Sequence, residues 1–165
     1  MARPRTVSAR RMRRLFNLYP PFLFQRIKCM RVAEDFRAID LRVRRSWLNR
    51  NHNGTIFGGT IYAAFDPVLP VMYWQCLLKR GLELQAWLMA GEVRFLKPAA
   101  GELFLEFRLT EADLDAAESE LAARGKAIRT HEVQALDADG ACCAVAEVVT
   151  YLRPLRRGDE TLAGF

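Results

Sequence analysis

A long apolar segment in the middle of the chain, Gly59 to Leu78, limits the folds that are open to it. Its length matches the ~20 residues that cross a bilayer as a helix. It also contains Asp66, Pro67 and Gln75, and an ionised aspartate at the centre of a membrane costs about 2.5–3.5 kcal/mol. The segment is therefore predicted to be a helix that is apolar on all sides and is buried inside a globular fold.

Alternating apolar and polar residues predict strands on both sides of this helix. Short turn-forming links such as 137–140 favour antiparallel pairing. The last strand is apolar on both faces, so we expect a second copy of the chain to cover part of the sheet. The residues predict an α+β fold with one central helix. The predicted strands are 39–43, 84–97, 103–109, 126–136 and 141–153.

Positive charge is concentrated near the N-terminus, where residues 1–50 carry 14 of the 25 Lys and Arg and 3 of the 19 Asp and Glu. The simplest interpretation of this run is a solvated basic arm. Contact with anionic lipid or with another subunit is the alternative, and we expect no nucleic acid partner. The arginines of the arm are Arg3, Arg5, Arg10, Arg11, Arg13 and Arg14.

The length of 165 residues fits one domain with short extensions. We assign 1–30 to the basic arm and a helix, 31–155 to the globular domain, and 156–165 to a C-terminal tail. The four cysteines match no zinc pattern and are interpreted as reduced core thiols of a cytoplasmic protein. No His, Cys and Glu cluster with metal-ligand spacing, so we expect no metal and no other cofactor.

The densest set of candidate functional residues surrounds the start of the apolar helix. Gly58 and Gly59 open the helix and leave backbone N–H groups free to bind an anion or an oxyanion. Asp66 follows two turns later in apolar company, so burial should raise its pKa and suit it to act as a base or nucleophile. Asn51 is suited to orient a water molecule or a carbonyl group.

Each of these residues also has a purely structural interpretation. Asp66 precedes Pro67, and such a pair is typical of an N-cap followed by proline at the first helical position. The two glycines fit a tight turn with close packing, and Asn51 is a common turn former. The residues alone leave both interpretations open.

The spacing Asn51-x-x-Gly54-Thr55-x-x-Gly58-Gly59, with Asp66 after it, resembles that of hotdog-fold acyl-CoA thioesterases, particularly the phenylacetyl-CoA type. The resemblance extends further for one branch, often labelled tetrameric acyl-CoA thioesterase. It implies a hotdog fold, in which an antiparallel sheet of five or six strands wraps around one long helix, assembled as a dimer or tetramer. The further matches are Asn17-x-Tyr19-Pro20-Pro21, Phe95-Leu96-Lys97-Pro98 and Tyr151-x-Arg153.

The resemblance implies hydrolysis of an acyl-CoA thioester. In such enzymes the amide of Gly58 or Gly59 polarises the thioester carbonyl, and Asp66, reached across a dimer interface, acts as base or nucleophile. Asn51 helps to place the water or the carbonyl. The further residues expected to contact substrate are Thr55, Phe57, Trp87 and Arg94, with Arg94, Arg129 and Arg153 as candidates for the CoA phosphates.

Two departures from the family pattern leave an alternative open. Phe57 stands where many phenylacetyl-type members have histidine, and Leu88 and Met89 follow Trp87 where the closer branch often has Asp and Lys. A non-catalytic module that binds an acyl group or acyl-CoA is therefore the alternative to an enzyme. A hydratase is disfavoured because no histidine occupies the required place. His52 is interpreted as a loop residue and His131 as structural.

Overall fold

The structure, a computed structural model, describes residues 6–156. Arg3, Arg5 and all of the predicted tail except Arg156 lie outside the described residues. The helices are α1 (Ala9–Leu18), α2 (Pro20–Phe24), α3 (Gly58–Phe65), α4 (Val68–Lys79) and α5 (Glu111–Arg124). The strands are β1 (Ile27–Val32), β2 (Ala38–Val43), β3 (Leu84–Phe95), β4 (Leu103–Arg108), β5 (Ala127–Leu136) and β6 (Cys142–Pro154).

The six strands form one antiparallel sheet in the order β1-β2-β4-β5-β6-β3. The five predicted strands correspond to β2 to β6, so the predicted α+β class and antiparallel sheet are confirmed. The sequence analysis missed β1, because only Ile27 and Cys29 in this short edge strand alternate clearly with polar residues. The predicted domain boundary at residue 31 falls inside this strand.

The long apolar segment forms two helices instead of the single predicted helix. Pro67 has no N–H group, so it cannot donate to the carbonyl of Ala63, and α3 ends there. Helix α4 then begins at Val68 and is buried along most of its length. The sheet wraps around the two helices, which is the hotdog fold. No helix among the described residues is long and apolar enough to span a membrane.

Helix α1 covers the β1 edge of the sheet. Met12 and Phe16 pack from α1 into the same hydrophobic core as the sheet. The Asn17 side chain accepts a hydrogen bond from the Cys29 backbone N–H at 2.8 Å and donates one to the Cys29 carbonyl at 3.1 Å. These bonds satisfy backbone groups that an edge strand would otherwise expose. The predicted arm is thus continuous with the domain.

Strand β3 forms the opposite edge of the sheet, and no described residue pairs with its outer side. It is 12 residues long and pairs only with β6. Met89 and Phe95 on this strand are exposed. A long, apolar and uncovered edge strand favours pairing with another chain.

The Asn17 contact predicts a measurable loss of stability on truncation. Asn17→Ala should lower the free energy of unfolding by about 1–3 kcal/mol, because two hydrogen bonds are lost and backbone groups of Cys29 lose their partners. Urea unfolding measures the change. Asn53→Ala is the matched control, since the Asn53 side chain makes no hydrogen bond within the described residues, and an equal loss in both variants would contradict the assignment.

Candidate functional site

The loop before α3 is organised by the side chain of Asn51. Its Oδ1 accepts hydrogen bonds from the backbone N–H groups of Asn53 at 3.0 Å and Thr55 at 3.2 Å. Its Nδ2 donates to the Thr55 hydroxyl at 2.9 Å. Gly54 in the same turn has a φ of 76°, which glycine adopts without strain. Within one chain, Asn51 and Thr55 therefore hold the loop in shape, as their structural interpretation predicts.

Helix α3 begins with two backbone N–H groups that have no acceptor among the described residues. Phe57 is the N-cap residue and has no capping side-chain hydrogen bond. Its carbonyl accepts from Thr60 at 2.9 Å, and its own N–H donates to the Asn49 carbonyl at 2.7 Å. The amides of Gly58 and Gly59 remain available at the positive end of the helix dipole. This arrangement can bind an oxyanion.

Both glycines lie in close contact with aromatic rings. A Cβ on Gly58 would lie 3.1 Å from Cζ of Phe95, and a Cβ on Gly59 would lie 2.3 Å from Cε1 of Phe57. The rings of Phe57 and Phe95 are both half-exposed. Each ring therefore lies beside one of the two glycines.

Asp66 lies at the end of α3, and its carboxylate makes no hydrogen bond or ion pair within residues 6–156. Its backbone is helical, with φ of −58° and ψ of −65°, whereas an N-cap residue is extended. The capping interpretation therefore has no support in the geometry. Partial burial without a compensating donor raises the pKa of the carboxyl group.

Tyr62 is a site residue that the sequence analysis missed. Its hydroxyl oxygen lies 2.9 Å from where a Cβ on Gly91 would stand, so the helix approaches β3 closely at this glycine. Gly58, Tyr62 and Asp66 are spaced four residues apart and share one helix face. The spacing was visible in the sequence, but nothing in it identified β3 as the neighbour.

The amide donors and the carboxylate of one chain are too far apart to act on one atom. Seven residues separate Gly59 from Asp66, which corresponds to about 10 Å along a helix axis. A base and an oxyanion donor each need to be ~3 Å from the reacting groups. Within one chain, the amides and the carboxylate therefore lie at opposite ends of α3.

Trp87 and Arg94 lie on the sheet face that points away from α3. They pair with Tyr151 and Val145 on β6, whereas Gly91 pairs with Val148 on the face that carries the helices. A bulge between Leu88 and Ala90 separates Trp87 from Gly91, because the extra residue reverses the alternation of side chains. On this outer face the ring centroids of Trp87 and Tyr151 lie 6.0 Å apart with the rings tilted, and Cζ of Arg153 lies 5.2 Å from the centroid of the Trp87 ring.

A second polar group lies between α4 and β5. The hydroxyl of Tyr73 is 2.8 Å from Nε2 of His131, and burial raises the pKa of Tyr73 to about 12 and lowers that of His131. Arg129 is held by Glu120 at 3.0 Å. This geometry agrees with a structural role for His131. Among residues 6–156, no three His, Cys, Asp or Glu side chains are grouped so that they could hold a metal ion.

A comparison with protein families identifies the family of the chain. Residues 8–152 match the model described as a domain of unknown function, DUF4442. The chain belongs to this family. No curated protein matches its sequence.

Solved structures share the fold of this chain at low sequence identity. PA5026 of Pseudomonas aeruginosa, described as a probable thioesterase of unknown function, has a TM-score of 0.77 at 21% identity, over 88% of this chain and 95% of its own. A putative thioesterase from Shewanella oneidensis has a TM-score of 0.64 at 20% identity, over 88% and 97%. The Escherichia coli PaaI protein, from the phenylacetic acid degradation operon, has a TM-score of 0.62 at 11% identity, over 89% and 92%.

The raised pKa of Asp66 predicts how the stability of the protein depends on pH. The charged carboxylate is disfavoured in the folded state, so its cost is absent below the usual aspartate pKa of 3.8, grows as pH rises from there to the raised pKa, and is constant above it. Asp66→Asn should therefore be more stable than the wild type at pH 7 in urea unfolding, with the difference vanishing below about pH 4.

Asp113 is the control for this experiment. Burial acts to raise its pKa, but hydrogen bonds from Thr110 outweigh burial and lower it. Asp113→Asn should accordingly be less stable than the wild type at pH 7. A loss of stability at pH 7 in Asp66→Asn as well would contradict the assignment of Asp66 as a partly buried carboxylate without a partner.

Proposed function

We propose that the protein hydrolyses acyl-CoA thioesters in sites formed by two copies of the chain. The observation that carries this proposal is the pair of acceptor-free amides at Gly58 and Gly59, together with the unpaired Asp66 at the other end of the same helix. Two adjacent α3 helices related by a two-fold axis perpendicular to them run antiparallel, so the amides of one can meet the carboxylate of the other. The amides and the carboxylate, which lie ~10 Å apart within one chain, are then brought together between two chains.

The two edges of the sheet support a dimer through β3. The β1 edge is covered by α1 and capped by Asn17, whereas the β3 edge has no partner among the described residues. Glycines at 58 and 91 let α3 lie close to β3. Pairing of two β3 strands therefore also brings the two α3 helices together. Whether two such dimers join into a tetramer is left to measurement of the mass in solution.

The proposed reaction uses Asp66 of one copy as the base. Asp66 takes a proton from water, and the water oxygen forms a bond to the thioester carbon. The carbonyl oxygen gains negative charge and is stabilised by the Gly58 and Gly59 amides of the other copy. The carbon–sulfur bond then breaks, and CoA leaves as a thiolate that takes up a proton. Direct attack by the carboxylate on the thioester carbon is the alternative route for the same residue.

The surroundings of the amides suit an acyl group. Phe57 and Phe95 flank the glycines, and Tyr62 continues the same helix face. For the CoA phosphates we propose Arg94 and Arg153, which stand with Trp87 on the outer face of the sheet. Arg129 is a weaker candidate because Glu120 holds it. The thioesterase descriptions of PA5026 and the Shewanella protein agree with this substrate class.

The compartment is also a proposal. Cys29, Cys76 and Cys143 are buried and Cys142 is half-buried, and all four thiols are free. Free thiols are typical of a reducing compartment. We propose that the protein acts in the cytoplasm.

The alternative function is binding of an acyl group or acyl-CoA without hydrolysis. Leu88 lies on the helix-facing side of β3, where the related branch often has an acidic residue, and this substitution favours a more apolar site. A protein that carries a fatty ligand through purification and releases no thiol from any acyl-CoA would support this function.

The role of Asp66 predicts loss of turnover on neutralisation. Thiol release from short-chain, long-chain and aryl-CoA substrates measures activity, and Asp66→Asn should lose at least about 100-fold. The control is Asp115→Asn, an exposed aspartate on α5. Undiminished turnover in Asp66→Asn would remove Asp66 from the mechanism.

A complementation experiment separates a site within one chain from a site between chains. Asp66→Asn and Gly58→Pro subunits are co-expressed with different tags, and mixed dimers are isolated. A site between chains leaves one intact site in each mixed dimer, so such dimers should recover about half of the wild-type activity. No recovery in isolated mixed dimers would show that the site lies within one chain.

The Gly58 amide is tested by a substitution that removes only its N–H. Proline is favoured at the first position of a helix, and Phe57 already has the extended backbone that precedes proline. Gly58→Pro should lower kcat by about 100- to 1,000-fold if this amide stabilises the oxyanion. Gly58→Ala keeps the N–H and adds the same Cβ beside Phe95, so it is the matched control. Equal activity in the two variants would assign the oxyanion to Gly59 alone.

A further inference from the structure

The end of the sheet formed by β1 and β2 contains a cationic cleft of about 510 Å³. Arg26, Lys28, Arg44 and Arg45 line it, and no acidic side chain among the described residues does so. Arg44 is partly neutralised by Glu102 at 3.2 Å. Neither Arg26 nor Lys28 has an acidic partner within the described residues, so the cleft carries net positive charge.

The backbone holds Arg26 at this cleft in a conformation that is unusual for arginine. Its φ is 59°, in the left-handed region where glycine or asparagine costs less. Its carbonyl accepts a hydrogen bond from the Arg44 N–H at 3.0 Å, which ties β1 to the end of β2. Strain of this kind persists only where the surrounding structure maintains it, and it is enriched at functional sites.

Exposed apolar side chains follow directly after three of the residues that line the cleft. Leu18 follows Asn17, Phe24 follows Leu23, and Trp47 with Leu48 follows Ser46. Leu18, Phe24 and Trp47 are 70%, 67% and 75% exposed. The cleft and these side chains together are called the docking patch below.

Trp47 is fixed in its exposed position by a buried asparagine. Asn49 Oδ1 accepts from the Ser46 N–H at 2.8 Å, and its Nδ2 donates to the carbonyls of Gln25 at 2.8 Å and Arg44 at 2.9 Å. These bonds join the loop of Trp47 to Gln25, the residue that follows Phe24 at the end of α2. The indole therefore points outward because the loop is held, and its exposure is not the result of a loose loop.

We propose that the docking patch binds the surface of an anionic phospholipid bilayer. Lysine and arginine attract the lipid headgroups, and Trp, Phe and Leu insert at the boundary of the acyl chains. Helix α1 adds further charge, since Arg10 and Arg14 are exposed on the helix face that ends at Leu18. The cation content and the apolar side chains of the patch match both parts of this interface.

Two other partners fit the patch less well. Nucleic acid bases would stack on Trp47 and Phe24, but Leu18 and Leu48 gain nothing from such stacking. A second copy that used the same patch in a two-fold contact would bring cations against cations. A bilayer surface uses all of these side chains at once.

Vesicle sedimentation of the full-length protein tests the proposal. We expect binding to phosphatidylcholine vesicles that contain phosphatidylserine, weak binding to phosphatidylcholine alone, and loss of binding at high salt. Arg26→Asn with Lys28→Gln should weaken binding by about 25-fold, because each basic residue near an anionic surface contributes about fivefold. The matched control is Arg124→Gln with Lys126→Gln, which removes two exposed charges at and just after the C-terminal end of α5.

The fluorescence of Trp47 tests the apolar half of the patch. Adding phosphatidylserine vesicles should shift tryptophan emission to the blue in the wild type and not in Trp47→Phe, which retains Trp74 and Trp87. Since Trp47 is exposed, Trp47→Ser should fold normally by circular dichroism and still bind vesicles more weakly. Absence of vesicle binding by the wild type, or equal weakening by the control pair, would overturn the proposal.

Two further outcomes would replace the bilayer with another partner. Binding of a single-stranded oligonucleotide that Trp47→Ser abolishes, without vesicle binding, would assign the patch to nucleic acid. A lower mass of Trp47→Ser in sedimentation velocity would assign it to contact between copies of the chain. Thioesterase activity is not needed for any of these measurements, so their outcome is independent of the proposed reaction.

Discussion

The rest of the chain depends on the burial of α4 on every side. Val68, Leu69 and Pro70 project about 100° apart around the helix, and all three are buried. A helix of this kind has no face for water, so the sheet must curve around it. Helix α5 packs against both α4 and β5 and completes the cover. Among the polar groups that α4 takes into the core, the Tyr73 hydroxyl meets His131 on β5, and the buried Gln75 side chain accepts a hydrogen bond from the Val7 N–H.

The same apolar segment carries both groups of the proposed site because proline divides it. Pro67 ends α3 after two turns, which leaves the Asp66 carboxylate at the break between the helices and keeps α4 in the core. The free amides of Gly58 and Gly59 then lie at one end of a short helix, and the Asp66 carboxylate lies at the other end. A site assembled from both ends requires two chains, and the uncovered β3 edge offers the means to join them. Packing and proposed catalysis thus rest on one interruption of one helix.

The two edges of the sheet have opposite characters. Asn17 and α1 cover β1, and the same N-terminal region gathers Arg26, Lys28 and Trp47 into a surface that is both cationic and apolar. Strand β3 has no partner on its outer side among the described residues, and the proposed dimer uses this edge. Within residues 6–50, much of the positive charge therefore lies on elements of the folded domain, since α1 shares its core with the sheet.

The sequence by itself determined the buried central segment and the order of β2 to β6 along the chain, because both depend on local periodicity. Glycine and proline chemistry determined the positions of Gly58 and Asp66 at the two ends of the first helix. It did not reveal β1, whose inward residues are too few to form a pattern. Only the tertiary structure decided that Trp87 lies away from the amides while Tyr62 lies against Gly91. The physical reason is the bulge between Leu88 and Ala90: one extra residue reverses the alternation of a strand, and no side chain in the sequence marks where that happens.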